Sequence, residues 1–89
     1  MSEKRYKINK DAAWRTVGAE LFVVTADGSL HNIKEDSGLF LWKTLEKGAT
    51  VSELILALTE NYEVDEQTAA KDVGEFVETL VLKQALITL

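Results

Sequence analysis

Residues 19–42 constrain the fold more than any other segment, because within them the apolar pattern changes from that of a β-hairpin to that of a helix. Two arms, residues 19–25 and 29–34, flank Asp27-Gly28. Asp-Gly at this spacing is a strong hairpin signal, and we expect both residues to adopt positive φ in the turn. The second arm is short and polar, and no later segment reads as a strand that could cover it. The sequence therefore predicts an open strand edge.

Three strands are expected ahead of the helices. Residues 6–8 and 14–17 both have strand character, and either could join the hairpin as the first strand of an antiparallel sheet. The apolar tail, residues 86–89, is expected to dock on the body of the domain.

Three helices are predicted after the hairpin, the first beginning at Glu35. Thr50 and Glu53 have the spacing of a capping box at the start of the second, and Asp65 is a suitable N-cap for the third. Gly74 lies inside the third helix, where glycine costs about 1 kcal/mol relative to alanine, and we expect it to mark close packing. The predicted core positions on the three helices are Gly38, Leu41, Trp42 and Leu45; Val51, Leu54, Ile55, Leu58 and Tyr62; and Ala69, Val73, Phe76, Val77 and Leu80.

Length and charge set limits on function. Eighty-nine residues allow one α+β domain, residues 1–89, with strands in 1–34 and helices and tail in 35–89. Without cysteine the chain has no disulfide or thiolate, which fits a cytoplasmic protein, and it shows neither a signal peptide nor a membrane span.

Residues 50–89 carry two basic and eight acidic side chains, a balance of −6, against +1 for residues 1–49 and −5 in total. This acidic half favours a partner with positive charge.

The residue types that catalysis needs are scarce in this chain. His31 is the single histidine, and the five glycines are isolated, so no phosphate-binding loop is present. The carboxylates are not grouped as metal ligands. We therefore expect no catalytic residues, no metal and no cofactor.

A winged-helix DNA-binding regulator is the alternative suggested by the three helices. Affinity for duplex DNA depends largely on Lys and Arg that neutralise phosphates. The third helix and its cap carry five acidic residues against only Lys71 and Lys83. The charge of these residues therefore makes DNA binding the less favoured hypothesis.

The open strand edge is the remaining candidate site. An exposed strand offers unpaired N–H and C=O groups, and an extended peptide can complete the ladder. If the third helix lies alongside, residues that flank its buried stripe would form the second wall of a groove. The predicted peptide-binding residues are Leu30, His31, Asn32, Ile33 and Lys34 on the strand, and Asp72, Phe76, Thr79 and Lys83 on the helix.

Several segments resemble the PqqD-like family, the small peptide-binding domains called RiPP recognition elements. They are residues 6–11 with Trp14-Arg15, residues 18–20, residues 33–42, residues 50–55 and residues 72–77, and their order and spacing cover nearly the whole chain. Two positions depart from the family. It often has Asn where Lys34 stands, and Gly near the end of the third helix where this chain has Gln84.

The resemblance implies a winged-helix-like body with a three-stranded sheet. It further implies that the leader region of a ribosomally made precursor peptide adds as a strand beside the third strand and against the third helix. Such domains present the peptide to a modifying enzyme, a radical SAM enzyme or a leader peptidase, and neither nucleic acid nor a membrane is an expected partner. The product is left open among pyrroloquinoline quinone (PQQ), a lasso peptide and a thioether-bridged peptide.

Overall fold

The computed structural model describes residues 3–89, so residues 1 and 2 of the predicted domain lie outside the described part. This part contains three helices and two three-stranded antiparallel sheets, which confirms the predicted α+β class. The elements are β1 Arg5–Ile8, β2 Ala13–Val17, β3 Glu20–Val24, β4 Leu30–Ile33, α1 Asp36–Leu45, β5 Ala49–Thr50, α2 Val51–Asn61, α3 Glu66–Leu82 and β6 Leu86–Thr88. One sheet has the strand order β2-β3-β4 and the other β5-β1-β6.

Both candidates for the first strand are strands, but they belong to different sheets. β2 pairs with β3, so that Trp14 lies opposite Val23. β1 pairs on one side with β5 and on the other with the tail strand β6, and Tyr6 lies opposite Ala49 and Thr88. The expected docking of the tail is thereby confirmed. The prediction of three strands missed the second sheet, because β5 and β6 are too short to show a period and pair with a strand distant in the chain.

The hairpin turn differs from the prediction. Its closing pair is Thr25 and Ser29, with a 2.9 Å hydrogen bond from the Thr25 N–H to the Ser29 carbonyl, so the loop has three residues. Such a loop needs positive φ only at its last position, and within this turn only Gly28 has it, at 88°. Asp27 instead accepts hydrogen bonds from the Thr25 hydroxyl and from the Ser29 N–H. These bonds lower the pKa of Asp27 from 3.8 to about 2, and the bond from the Thr25 hydroxyl contributes most.

Both predicted helix caps are present. The Thr50 N–H donates to Glu53 Oε1 at 2.9 Å while the Glu53 N–H donates to Thr50 Oγ1 at 3.1 Å, which completes the capping box. The Asp65 carboxylate accepts from the Thr68 N–H at 2.7 Å. The backbone donors Thr50 and Thr68 hold the pKa values of Glu53 and Asp65 below their ordinary values. These local signals therefore fixed where α2 and α3 begin.

The end of α3 contains a left-handed residue that is not glycine. Gln84 has φ 63°. Its N–H donates to the Val81 carbonyl at 3.0 Å, and the Ala85 N–H donates to the Leu80 carbonyl at 2.8 Å, the two bonds of a Schellman cap. Asn9 Nδ2 donates to the Gln84 carbonyl at 2.9 Å and helps to hold this turn. Gln84, which is not a glycine, thus leaves a strained cap.

The core lies between the β2-β3-β4 sheet and the helices. Trp42 is 1% exposed and packs edge to face against Trp14, with ring centroids 5.8 Å apart. A Cβ on Gly74 would have no atom within 4 Å, so the expectation of close packing there was wrong. No helix in residues 3–89 has the length and apolar character needed to cross a membrane. The remaining fully buried large side chains are Leu21, Leu45, Leu54, Val23 and Val73.

Candidate functional site

β4 lies at one edge of its sheet, and no strand within residues 3–89 pairs with its outer side. The hydrogen bond that closes the hairpin shows which residues of this strand direct their backbone groups toward β3 and which direct them outward. Ser29, His31 and Ile33 lie in the hydrogen-bonding positions opposite β3. Leu30 and Asn32 therefore direct their N–H and C=O groups outward. These are the groups that an added strand would bind.

The side chains of β4 alternate between two environments. Ile33 is 9% exposed and His31 is half-buried, so both face the helices. Leu30 is 62% exposed and lies on the opposite face of the sheet with Asn32, whose Nδ2 donates to the Leu21 carbonyl at 3.2 Å. A strand added beside β4 would accordingly direct every second side chain toward the helices.

An open groove of about 540 Å³ lies between β4, α1 and α3. Gly38 allows its walls to approach, because a Cβ at this position would lie 2.7 Å from Ile33 Cγ2 and 3.6 Å from Phe76 Cε1. The half-buried ring of Phe76 and the end of β4 thus meet at Gly38. The lining residues are His31, Asn32, Ile33, Glu35, Ser37, Gly38, Leu41, Leu58, Asp72, Glu75, Phe76, Thr79 and Leu80.

The groove combines an apolar floor with an acidic rim. Among its lining residues the charged side chains are Glu35, Asp72 and Glu75, with neither Lys nor Arg. His31 Nε2 is buried and has no hydrogen-bond partner among the described residues. No group of three or more acidic or histidine side chains in residues 3–89 could hold a metal ion. The arrangement suits an extended chain that carries apolar and positively charged side chains.

The structure brings together six of the nine residues predicted for the site. The other three lie outside the groove, each for a physical reason. Leu30 is exposed at the start of β4, Lys34 is exposed beyond the end of β4, and Lys83 is exposed at the C-cap of α3. The six that line the groove are His31, Asn32, Ile33, Asp72, Phe76 and Thr79.

Seven of the residues that line the groove were not predicted for the site, among them the acidic Glu35 and Glu75. Glu75 and Leu80 are three and eight residues after Asp72, so a wider helical stripe on α3 would have included them. Ser37, Gly38 and Leu41 belong to α1, and Leu58 belongs to α2. Their place in the groove depends on how the helices pack, for which no local pattern gives a signal.

An open strand edge beside a helix defines a class of small domain that can bind an extended peptide by strand addition. Residues 35–86 match the family model of coenzyme PQQ synthesis protein D (PqqD). This match spans more than half of the chain, and the chain belongs to the PqqD family. The resemblance read from the sequence is therefore confirmed. No curated protein matches the chain.

Two solved structures have the same fold. The structure of TbiB1 in complex with the TbiA(beta) leader peptide is 25% identical to this chain, with a TM-score of 0.80, and the match covers 90% of this chain and 93% of that one. Lasso peptide synthetase B1 complexed with the leader peptide is 16% identical with a TM-score of 0.79, covering 92% of this chain and 96% of that one. At 16% identity the second structure supports the fold alone.

Proposed function

We propose that this protein binds the leader region of a ribosomally synthesised precursor peptide as an added strand on β4 and presents it to a modifying enzyme. The observation that carries the proposal is the unpaired outer edge of β4 beside the groove formed with α1 and α3. Membership of the PqqD family supports it, as does the likeness to TbiB1, whose structure contains a leader peptide.

Strand addition assigns separate roles to the backbone and the side chains. The outward N–H and C=O groups of Leu30 and Asn32 pair with the leader backbone and supply affinity that depends little on sequence. Alternate leader side chains enter the groove, where Ile33 and Phe76 offer apolar contact and Asp72 lies among the lining residues. These groove side chains select one leader over another.

The acidic charge of the helices disfavours the alternative function, a winged-helix DNA-binding regulator. Asp72, Glu75 and Glu78 are exposed on α3, the helix that would have to enter the DNA groove. Their charge repels phosphate, and the affinity of DNA-binding proteins rests largely on the opposite charge. Of these three, Asp72 and Glu75 line the groove and suit a peptide that carries positive charge.

Catalysis belongs, in this proposal, to the partner enzyme, a radical SAM enzyme or a leader peptidase, and the isolated chain turns over nothing. A ribosomally made precursor is available in the cytoplasm, where we place the complex.

Calorimetric titration with the leader of the precursor encoded beside this chain tests the proposal. We expect an affinity in the nanomolar to micromolar range, about −8 to −12 kcal/mol, and an unchanged peptide mass after prolonged incubation. Absence of heat and of competition at ~100 μM peptide, a concentration well above that range, would contradict leader binding.

A further inference from the structure

From the charge and alternation of the groove we infer that the leader segment on β4 carries an apolar residue and a lysine or arginine two positions apart. This inference rests on the proposed leader binding and specifies the class of peptide that the site selects.

The spacing follows from the register of the strand edge. A leader residue opposite Asn32 pairs with its outward backbone groups and directs its own side chain to the outer face of the sheet. The two flanking leader residues lie opposite His31 and Ile33, whose side chains face the groove. These two inward side chains are i and i+2 in the leader, about 7 Å apart along an extended strand.

The apolar member is selected next to Ile33. Ile33 Cγ2 and Phe76 Cε1 lie 2.7 and 3.6 Å from the place where a Cβ on Gly38 would be, so the end of the strand and the ring both border Gly38, with Glu35 Oε2 3.9 Å from the same point. Phe76 is half-buried and therefore leaves part of its ring open to the groove. An apolar leader side chain opposite Ile33 contacts this part of the ring and removes it from water.

The cationic member is selected by three exposed carboxylates, those of Glu35, Asp72 and Glu75. None of the three has an ion-pair partner among the described residues. The ion pair found there joins Arg5 to Glu53. Lys34 and Lys71 are chain neighbours of lining residues but do not line the groove. A lysine or arginine supplied by the leader therefore gives these carboxylates a partner of opposite charge.

A matched pair of charge variants tests the inference. The groove variant is E35Q/D72N/E75Q, and the control is E46Q/E60Q/E63Q, which removes the same charge from exposed positions that do not line the groove. The probe is the fluorescein-labelled synthetic leader of the precursor encoded beside this chain. In anisotropy titrations at ~0.1 M salt we expect the groove variant to bind about tenfold more weakly and the control to stay within about twofold. At 1 M salt, where the Debye length falls from about 10 Å to about 3 Å, the difference should largely disappear.

The leader is varied in the same assay by single substitutions along its length. We expect two sensitive positions that are two residues apart, one apolar and one cationic, and loss of sensitivity at the cationic one in the groove variant. Equal binding by the groove variant and the control, or sensitive positions at another spacing, would overturn this inference and leave leader binding standing. A leader that the unmodified protein does not bind would overturn the proposed function and this inference together.

Discussion

Proline at position 32 separates strand addition from other modes of binding. The Asn32 N–H points away from β3, so Asn32→Pro removes a donor from the open edge and leaves the β3–β4 ladder intact. Proline is tolerated at edge strands in this orientation. In the fold, Asn32→Pro also removes the 3.2 Å bond from Asn32 Nδ2 to the Leu21 carbonyl and holds φ at about −65°.

The expected effect on binding is the loss of one backbone hydrogen bond and a steric clash with the incoming strand. The hydrogen bond alone contributes about 0.5–1.5 kcal/mol. Since 1.4 kcal/mol corresponds to a factor of ten, the bond accounts for about a two- to twelvefold weakening. The proline ring adds to this, so we expect the leader to bind at least about fivefold more weakly.

Two control variants isolate the cause. Asn32→Ala removes the same side-chain bond but keeps the N–H, and should bind the leader as the unmodified protein does. Thr16→Pro places proline on β2, at the other edge of the same sheet. Its N–H also points outward, because the neighbouring residues Arg15 and Val17 are in the hydrogen-bonding positions opposite β3.

Calorimetric titration measures the affinities, and circular dichroism with thermal melting verifies that each variant is folded. Strand addition to β4 predicts that only Asn32→Pro weakens binding. A folded Asn32→Pro variant with unchanged affinity would refute the reasoning, as would an equal loss in Thr16→Pro.

Three further predictions concern stability. Gln84→Gly should stabilise the protein by about 0.5–1 kcal/mol. The left-handed conformation costs a residue other than glycine about 1–2 kcal/mol, and the greater conformational entropy that glycine loses on folding offsets part of this gain. An unchanged or lower Tm would contradict the strained cap. Gly74→Ala should raise stability by about 0.5–1 kcal/mol in denaturant unfolding, since a Cβ there meets nothing within 4 Å. The pKa of Asp27 is lower in the folded protein, so its contribution is present above pH 3.8 and is lost as the pH falls toward about 2. The stability difference between the unmodified protein and Asp27→Asn should shrink across that window, and a constant difference would show that the turn carboxylate does not stabilise the fold.

Local signals explain what the sequence predicted correctly. The capping box at Thr50 and Glu53 and the N-cap at Asp65 need only residues a few positions apart. The apolar period of α3 likewise follows from its own residues. The second sheet was missed because β5 and β6 have two and three residues and pair with β1, which is distant from both in sequence.

The candidate site was predictable only where one element suffices to define it. Strand alternation already separates Leu30 from Ile33, and helical period already groups Asp72 with Phe76. The floor contributed by Gly38 depends on the approach of α1 to both β4 and α3. That approach results from packing of the whole core, which no short segment encodes.

The most direct measurement of the central claim is an amide chemical-shift titration of the ¹⁵N-labelled protein with the leader peptide. Strand addition predicts the largest shifts at the outward amides of Leu30 and Asn32 and along residues 72–80 of α3. Shifts confined to α2, residues 51–61, or to the outward amides of Trp14 and Thr16 on β2, with β4 and α3 unchanged, would contradict it.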